Sequence, residues 1–237
     1  LPHYVSSVDS GNLAGHLLTL GAGLREQADE PILSPTVFDG LRDTVKVLRH
    51  LAPSHAAVRR IELELEQVPS SLRASRDLLA RVTGQAGAIA LSPGTDGEEF
   101  AGWARALERN GQDHLTDLRM MAPWLMLADP LPSRQPGMKT PESHPAVAGD
   151  AVAKEASTAQ SLDDGLRQLS EAPTLRAAAT LAGSLCPLIE AALHGPGSEN
   201  GGRTSEEVEE FQQLSAFLLE SSERARQRTD ALEDLAR

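Results

Sequence analysis

Aromatic residues are scarce. The 237 residues hold one Tyr, two Trp and four Phe, 3% of the chain. A core with so few rings has to be aliphatic, built from Leu, Val, Ile and Ala. That composition suits packed helices, whereas strands favour aromatic and β-branched side chains. Cysteine is nearly absent, and the one thiol, Cys186, excludes an internal disulfide. Its flank, Leu185-Cys186-Pro187-Leu188, is apolar, which marks Cys186 as a small buried hydrophobe. A nucleophilic thiol would need a base beside it, and no local motif supplies one. Long apolar runs are missing as well. No stretch of about 18 apolar residues exists, so the sequence predicts no bilayer span and no direct membrane contact. Positive charge is in the minority: Lys plus Arg is 22 and Asp plus Glu is 34, a net charge of −12. Such a chain repels phosphate backbones and anionic headgroups, so nucleic acid and lipid surfaces are disfavoured partners. Neutral sugars are not excluded by charge. There is no signal peptide pattern at the start. The chain opens on Leu1-Pro2-His3 and closes at Arg237 inside a helical pattern, so the sequence predicts a piece of a longer protein.

What is present is helical. Hydrophobic residues make up 40% of the chain, enough for a sizeable core. Leu13, Leu17, Leu20 and Leu24 recur at helical spacing, predicting a first helix from about Gly11 to Glu26 with Asp9 or Ser10 as its cap. Ser34-Pro35 opens a second helix with the stripe Phe38, Leu41, Val45 and Leu48, and Pro53 stops it. Ser54 is placed to cap a third, with Val58, Ile61, Leu65 and Val68. A fourth follows Pro69-Ser70-Ser71 through Leu72, Leu79 and Val82. Residues 84–97, rich in Gly, read as a loop. A longer helical region from about Glu98 to Ala128 carries Phe100, Trp103 and Leu107, then Leu115, Leu118, Met121 and Leu125. Asn110-Gly111 is a point of interruption, and Pro123 predicts a kink or a new turn.

Residues 129–147 contain five prolines and read as a linker or long surface loop between two helical halves, 1–128 and 148–237. The second half predicts a helix near Asp150 to Ser170. A further helix carries Leu175, Leu181, Leu185, Leu188 and Leu193, bent at Pro187. The last is announced by the capping box Thr204-Ser205-Glu206-Glu207 and runs through Val208, Phe211, Leu218, Ala225, Leu232 and Leu235 to the end of the chain. The fold class is therefore all-α: consecutive amphipathic helices, as in a bundle or one arc of an (α/α)-barrel.

Site chemistry is sparse. His50 and His55 straddle Pro53, and no His-Glu-x-x-His or cysteine pair occurs, so no metal and no cofactor is expected. His114 lies within helical reach of Asp113 and Asp117, as on an ordinary solvated face. The glycines from Gly11 to Gly23 match neither nucleotide-binding pattern. The seam of the last helix is diluted by Ser215, Ser222 and Thr229, which favours packing within the chain over a coiled-coil partner. The stretch Tyr4-Val5-Ser6-Ser7-Val8-Asp9-Ser10-Gly11-Asn12-Leu13-Ala14-Gly15-His16-Leu17 differs. It gathers hydroxyls, a carboxylate and an amide at the start of a helix, groups that exchange hydrogen bonds with vicinal sugar hydroxyls.

That stretch closely resembles a hallmark of bacterial cyclic β-1,2-glucan synthases, with Ser7 where the family has Thr. Ala122-Pro123-Trp124-Leu125 is similar to a further family segment, and elsewhere the likeness is loose. The resemblance implies a very large membrane-bound parent at the cytoplasmic side of the inner membrane. In that family a glycosyltransferase module, a middle glycoamylase-like helical module and a phosphorylase-like module are joined. The middle module looks like an (α/α)-barrel that closes linear β-1,2-glucan into rings by transglycosylation, and the motif falls within it. The implied partners are β-1,2-glucan and the rest of the same polypeptide. Family segments that flank the motif are absent, and the catalytic acids match no position here. A retaining transfer needs two carboxylates about 5 Å apart, and they are expected downstream. Asp9 is the carboxylate of the motif, open to sugar contact or to helix capping. Asp9, Ser10 and Asn12 are the assigned substrate contacts. Two further functions stay open, a non-catalytic structural insert and a helix-mediated interaction module.

Overall fold

The computed structural model describes residues 7–92, 97–127, 160–194 and 204–237, with the backbone alone of Ser7. These residues are all-α, as the sequence predicts. The elements are α1 (Ser7–Gln27), α2 (Thr36–Leu51), α3 (Ala56–Leu65), α4 (Leu72–Leu91), α5 (Gly97–Met121) and a 3-10 turn (Pro123–Met126). After them come the helical residues 160–168 (α6), then α7 (Leu175–Ala178), α8 (Leu181–Leu193) and α9 (Ser205–Leu235). Among the described residues the only extended pairing is an isolated bridge between Pro31 and Thr174. An (α/α)-barrel is not established by these contacts. The expected linker, 129–147, lies outside the described residues, as do residues 1–6.

Helix α2 shows how local sequence becomes packing. Pro35, not Ser34 as the cap pattern predicts, is the residue before α2, and no side-chain cap forms; the Ser34 carbonyl accepts from the Val37 amide at 3.1 Å. Phe38, Leu41, Val45 and Leu48 then fall on one face and are buried. Pro53 has no amide to continue the ladder, and α2 ends at Leu51. Val58, Ile61 and Leu65 bury the matching face of α3. Arg42 Nε donates to the Leu65 carbonyl at 2.8 Å, tying α2 to the end of α3. Val68 lies beyond that end and is exposed, contrary to its expected place in the stripe. His55, not Ser54, is the residue before α3, and it makes no side-chain cap.

Residues 84–91 are helical, not a loop. Glycine there answers a packing need. A Cβ on Gly87 would meet Glu108 Oε1 at 2.6 Å, and one on Gly111 would overlap Thr83 Oγ1. The two glycines lie on facing helices, so α4 and α5 approach closely where each lacks a side chain. Gly111 is buried and does not interrupt α5. Trp103 drops out of the expected stripe and faces outward, whereas Phe100 and Leu107 are buried.

Pro123 starts the 3-10 turn and places Trp124 in the core, with its indole N–H donating to the Leu169 carbonyl at 3.3 Å. Residues before and after 129–147 share one buried cluster, from Leu33 and Phe38 to Leu218 and Ala225. Helix α9 lies along it. Its capping box forms as expected, the Glu207 amide donating to Thr204 Oγ1 at 3.2 Å and the Thr204 amide to the Glu207 carboxylate at 2.6 Å. Two buried hydroxyls then serve other helices. Ser221 Oγ donates to the Met121 carbonyl at 2.6 Å. Ser222 Oγ donates to the Ala178 carbonyl at 2.9 Å and accepts from the Ala182 amide at 3.0 Å. Met121 and Ala178 end α5 and α7, where carbonyls lack helical partners. The polar seam therefore packs inside the chain. Leu235, expected in the stripe, is exposed, and α9 stops there, before Ala236 and Arg237.

Candidate functional site

Helix α1 begins at Ser7, so Asp9 and Ser10 lie within its first turn instead of capping it. Val8 to Gly11 are poor helix formers. Once the Leu-rich run downstream is helical, each added residue gains a hydrogen bond without a new nucleus. The Asp9 carboxylate sits at the positive end of the helix, a favourable place for an anion. Asn12 is one turn on, at i+3 from Asp9, and His16 follows at i+4 from Asn12. These three side chains share one edge of the helix, and Ser10 stands about 100° around it. All of Asp9, Ser10, Asn12 and His16 are exposed. Asp9 and Ser10 each keep an interaction in the structure. The remainder of the motif, Tyr4 to Ser6, lies outside the described residues.

Leu13, Leu17, Leu18 and Leu20 of α1 are exposed too, and Leu24 is half-buried. Leu13 is 60% exposed, Leu17 57% and Leu20 57%, so their stripe has no cover among the described residues. The end of the helix is anchored to described residues. Arg25 Nη2 donates to the Ala236 carbonyl at 2.7 Å, and a Cβ on Gly21 would lie 3.3 Å from that oxygen. Ala28 just beyond is fully buried. The polar edge and the leucine stripe thus stand side by side on a helix that leaves the packed body over residues 8–20.

Other polar groups serve the fold. The Glu64 carboxyl is held below its ordinary value, first by the Gln85 amide and also by Arg81, against the effect of burial. Gln85 Nε2 donates to it at 2.7 Å and Arg81 Nε at 3.1 Å, pinning α3 to α4. A catalytic acid has to hold its proton near neutral pH, and Glu64 is shifted the other way. Burial pushes the Cys186 thiol up, and its Sγ lies 3.9 Å from the Ser215 carbonyl, as befits a packing residue. No group of three or more His, Cys, Asp and Glu among the described residues is placed to hold a metal ion. No described helix is long and apolar enough to cross a membrane. One cleft of about 260 Å³ opens between α4, α5 and the 3-10 turn, floored by Leu115, Leu118 and Leu125 and rimmed by Arg76, Asp77 and Arg119. Sequence patterning gave no sign of it, since its rim charges are spread over two helices.

Comparison with known proteins supplies a class and then a particular relative. The similarity is to an enzyme of glucan synthesis. A stretch of 49 residues, 20% of this chain, is 47% identical to cyclic beta-(1,2)-glucan synthase NdvB of Rhizobium meliloti (strain 1021). The match covers 2% of that protein's length. No family model matches the chain. No solved structure matches it either.

Proposed function

We propose that this chain is a segment of a carbohydrate-active enzyme related to cyclic β-1,2-glucan synthases, from the module that closes linear β-1,2-glucan into rings by transglycosylation. The 47% local identity to a protein of that name carries the proposal. The chemistry of α1 supports it. Asp9, Ser10 and Asn12 present a carboxylate, a hydroxyl and an amide on an exposed helical start, the mixture of donors and acceptors that sugar hydroxyls need. In this proposal they contact β-1,2-glucan, while the catalytic carboxylates come from elsewhere in the polypeptide. The chain alone then binds glucan weakly and does not turn it over.

Calorimetric titration of the 237-residue chain with linear β-1,2-glucan tests this. Binding is expected for the native sequence, weakened several-fold by Asp9→Asn or Asn12→Ala in chains of unchanged helicity. A folded chain that binds no glucan would sink the sugar role. A second function, a structural insert whose α1 packs against further protein, is favoured by one observation, the uncovered stripe of Leu13, Leu17 and Leu20. It predicts no effect of glucan on α1.

A further inference from the structure

We propose that the cleft between α4, α5 and the 3-10 turn binds a small amphiphilic carboxylate, with its apolar body on the leucine floor and its charge at Arg119. The inference is independent of the glucan proposal. Three observations carry it.

The first is size and lining. The cleft measures about 260 Å³, and Leu115, Leu118, Leu125 and Ala122 form its floor. A Leu/Ile/Phe-lined cavity of about 150 Å³ takes up benzene, so this space accommodates a phenyl-sized group and a short linker. The floor residues themselves are 6%, 2%, 4% and 0% exposed, held in place by the core beneath them.

The second is the state of the rim charges. Arg76 and Asp77 satisfy each other, Nη2 to Oδ1 at 2.6 Å and Nε to the same oxygen at 2.9 Å. Arg76 also donates to the Leu125 carbonyl, and Arg73 donates to the carbonyls of Leu125 and Leu127 at 3.1 and 3.0 Å. Those two arginines hold the end of the 3-10 turn and are not available to a ligand. Arg119, across the cleft on α5, has no hydrogen-bond or ion-pair partner among the described residues. Two cations and one anion leave the rim with a surplus of one positive charge, on a chain whose net charge is −12.

The third is what the lining lacks. Among the described residues neither Trp nor any other aromatic side chain lines the cleft, so they offer a sugar ring no stacking platform. A polyphosphate would face a single uncommitted guanidinium and the Asp77 carboxylate. A monocarboxylate with an apolar tail matches both the floor and the one free charge, since guanidinium and carboxylate geometries are complementary.

The test uses 4-phenylbutyrate and the 237-residue chain, read by saturation-transfer NMR and titration. Saturable binding is expected, weakened by raising salt because Arg119 is exposed. Arg119→Gln should weaken it roughly 2–5-fold, the upper part of the range for an exposed ion pair. Arg105→Gln, elsewhere on the exposed face of α5, should leave it unchanged. Ala80→Phe adds a bulky side chain at an exposed lining position and should abolish it. Helicity and thermal midpoints of all variants are compared first. The proposal is overturned if the folded native chain shows no saturable binding. It is equally overturned if Arg119→Gln or Ala80→Phe binds as the native chain does, or if 4-phenylbutanol binds as tightly as the acid.

Discussion

Replacing Gly111 by Ala isolates the close approach of α4 and α5. In an open stretch of helix this change is favourable, by about 1 kcal/mol, because alanine has less backbone freedom to lose. At Gly111 the new Cβ would overlap Thr83 Oγ1 and stand 3.3 Å from Thr83 Cβ and 3.7 Å from its Cα. Rotating the threonine moves only the first of these atoms, so backbone must shift as well. Overpacking of this kind costs about 1–3 kcal/mol, so the propensity gain is cancelled or exceeded and the net change is a loss of up to about 2 kcal/mol. Gly84, one residue along from Thr83, has nothing within 4 Å of its notional Cβ. Gly84→Ala should therefore stabilise by about 1 kcal/mol, or 2–4 °C for a domain this size. Thr83 Oγ1 is buried without a partner. Thr83→Ala removes both the obstacle and the orphaned hydroxyl, so the double variant should recover most of the loss, a strong non-additivity. Urea unfolding followed by circular dichroism at 222 nm measures the native chain, the three single variants and the double variant. If Gly111→Ala stabilises as much as Gly84→Ala, or the double variant is simply additive, the helix crossing described here is wrong.

Ser222→Ala should cost about 1–3 kcal/mol, since it strands a buried carbonyl at the end of α7 and an amide at the start of α8; a chemical-denaturation midpoint within error of the native chain would contradict those bonds. Trp103→Phe leaves Trp124 as the sole tryptophan, 4% exposed. Its emission should be blue-shifted and resistant to acrylamide, whereas ready quenching would place Trp124 outside the core. Glu64 gives a pH dependence. Its folded pKa lies below the ordinary 4.5, so its charge stabilises the fold above that value and the contribution fades as pH falls through the lowered pKa. Native and Glu64→Gln chains should differ at pH 7 and converge in acid; a gap that stays constant from pH 7 to pH 3 would remove Glu64 from the account.

Most of the helices were legible from period and caps alone. Phe38, Leu41, Val45 and Leu48 announce α2, and Thr204 with Glu207 announces α9, because these signals are local. The misreadings came from residues whose role is set by a distant neighbour. Gly87 looks like a loop residue until Glu108 of α5 is seen against it. Ser221 and Ser222 sit in α9 because the carbonyls of Met121 and Ala178 need donors, which no window of sequence reveals. Trp103 and Val68 fit their stripes by spacing and miss the core by a helix turn or an early helix end. The candidate site was legible as a motif and not as a geometry. Asp9, Ser10 and Asn12 do fall on one helical start, which begins earlier than its weak helix formers predicted.

The central claim is that α1 carries a glucan contact. Amide chemical shifts of an isotope-labelled chain, followed while linear β-1,2-glucan is added, test it most directly. The account predicts movement confined to residues 8–16 and little response to a linear β-1,3-glucan of equal length. Glucan that leaves those residues unmoved, in a chain whose spectrum shows it folded, would contradict it.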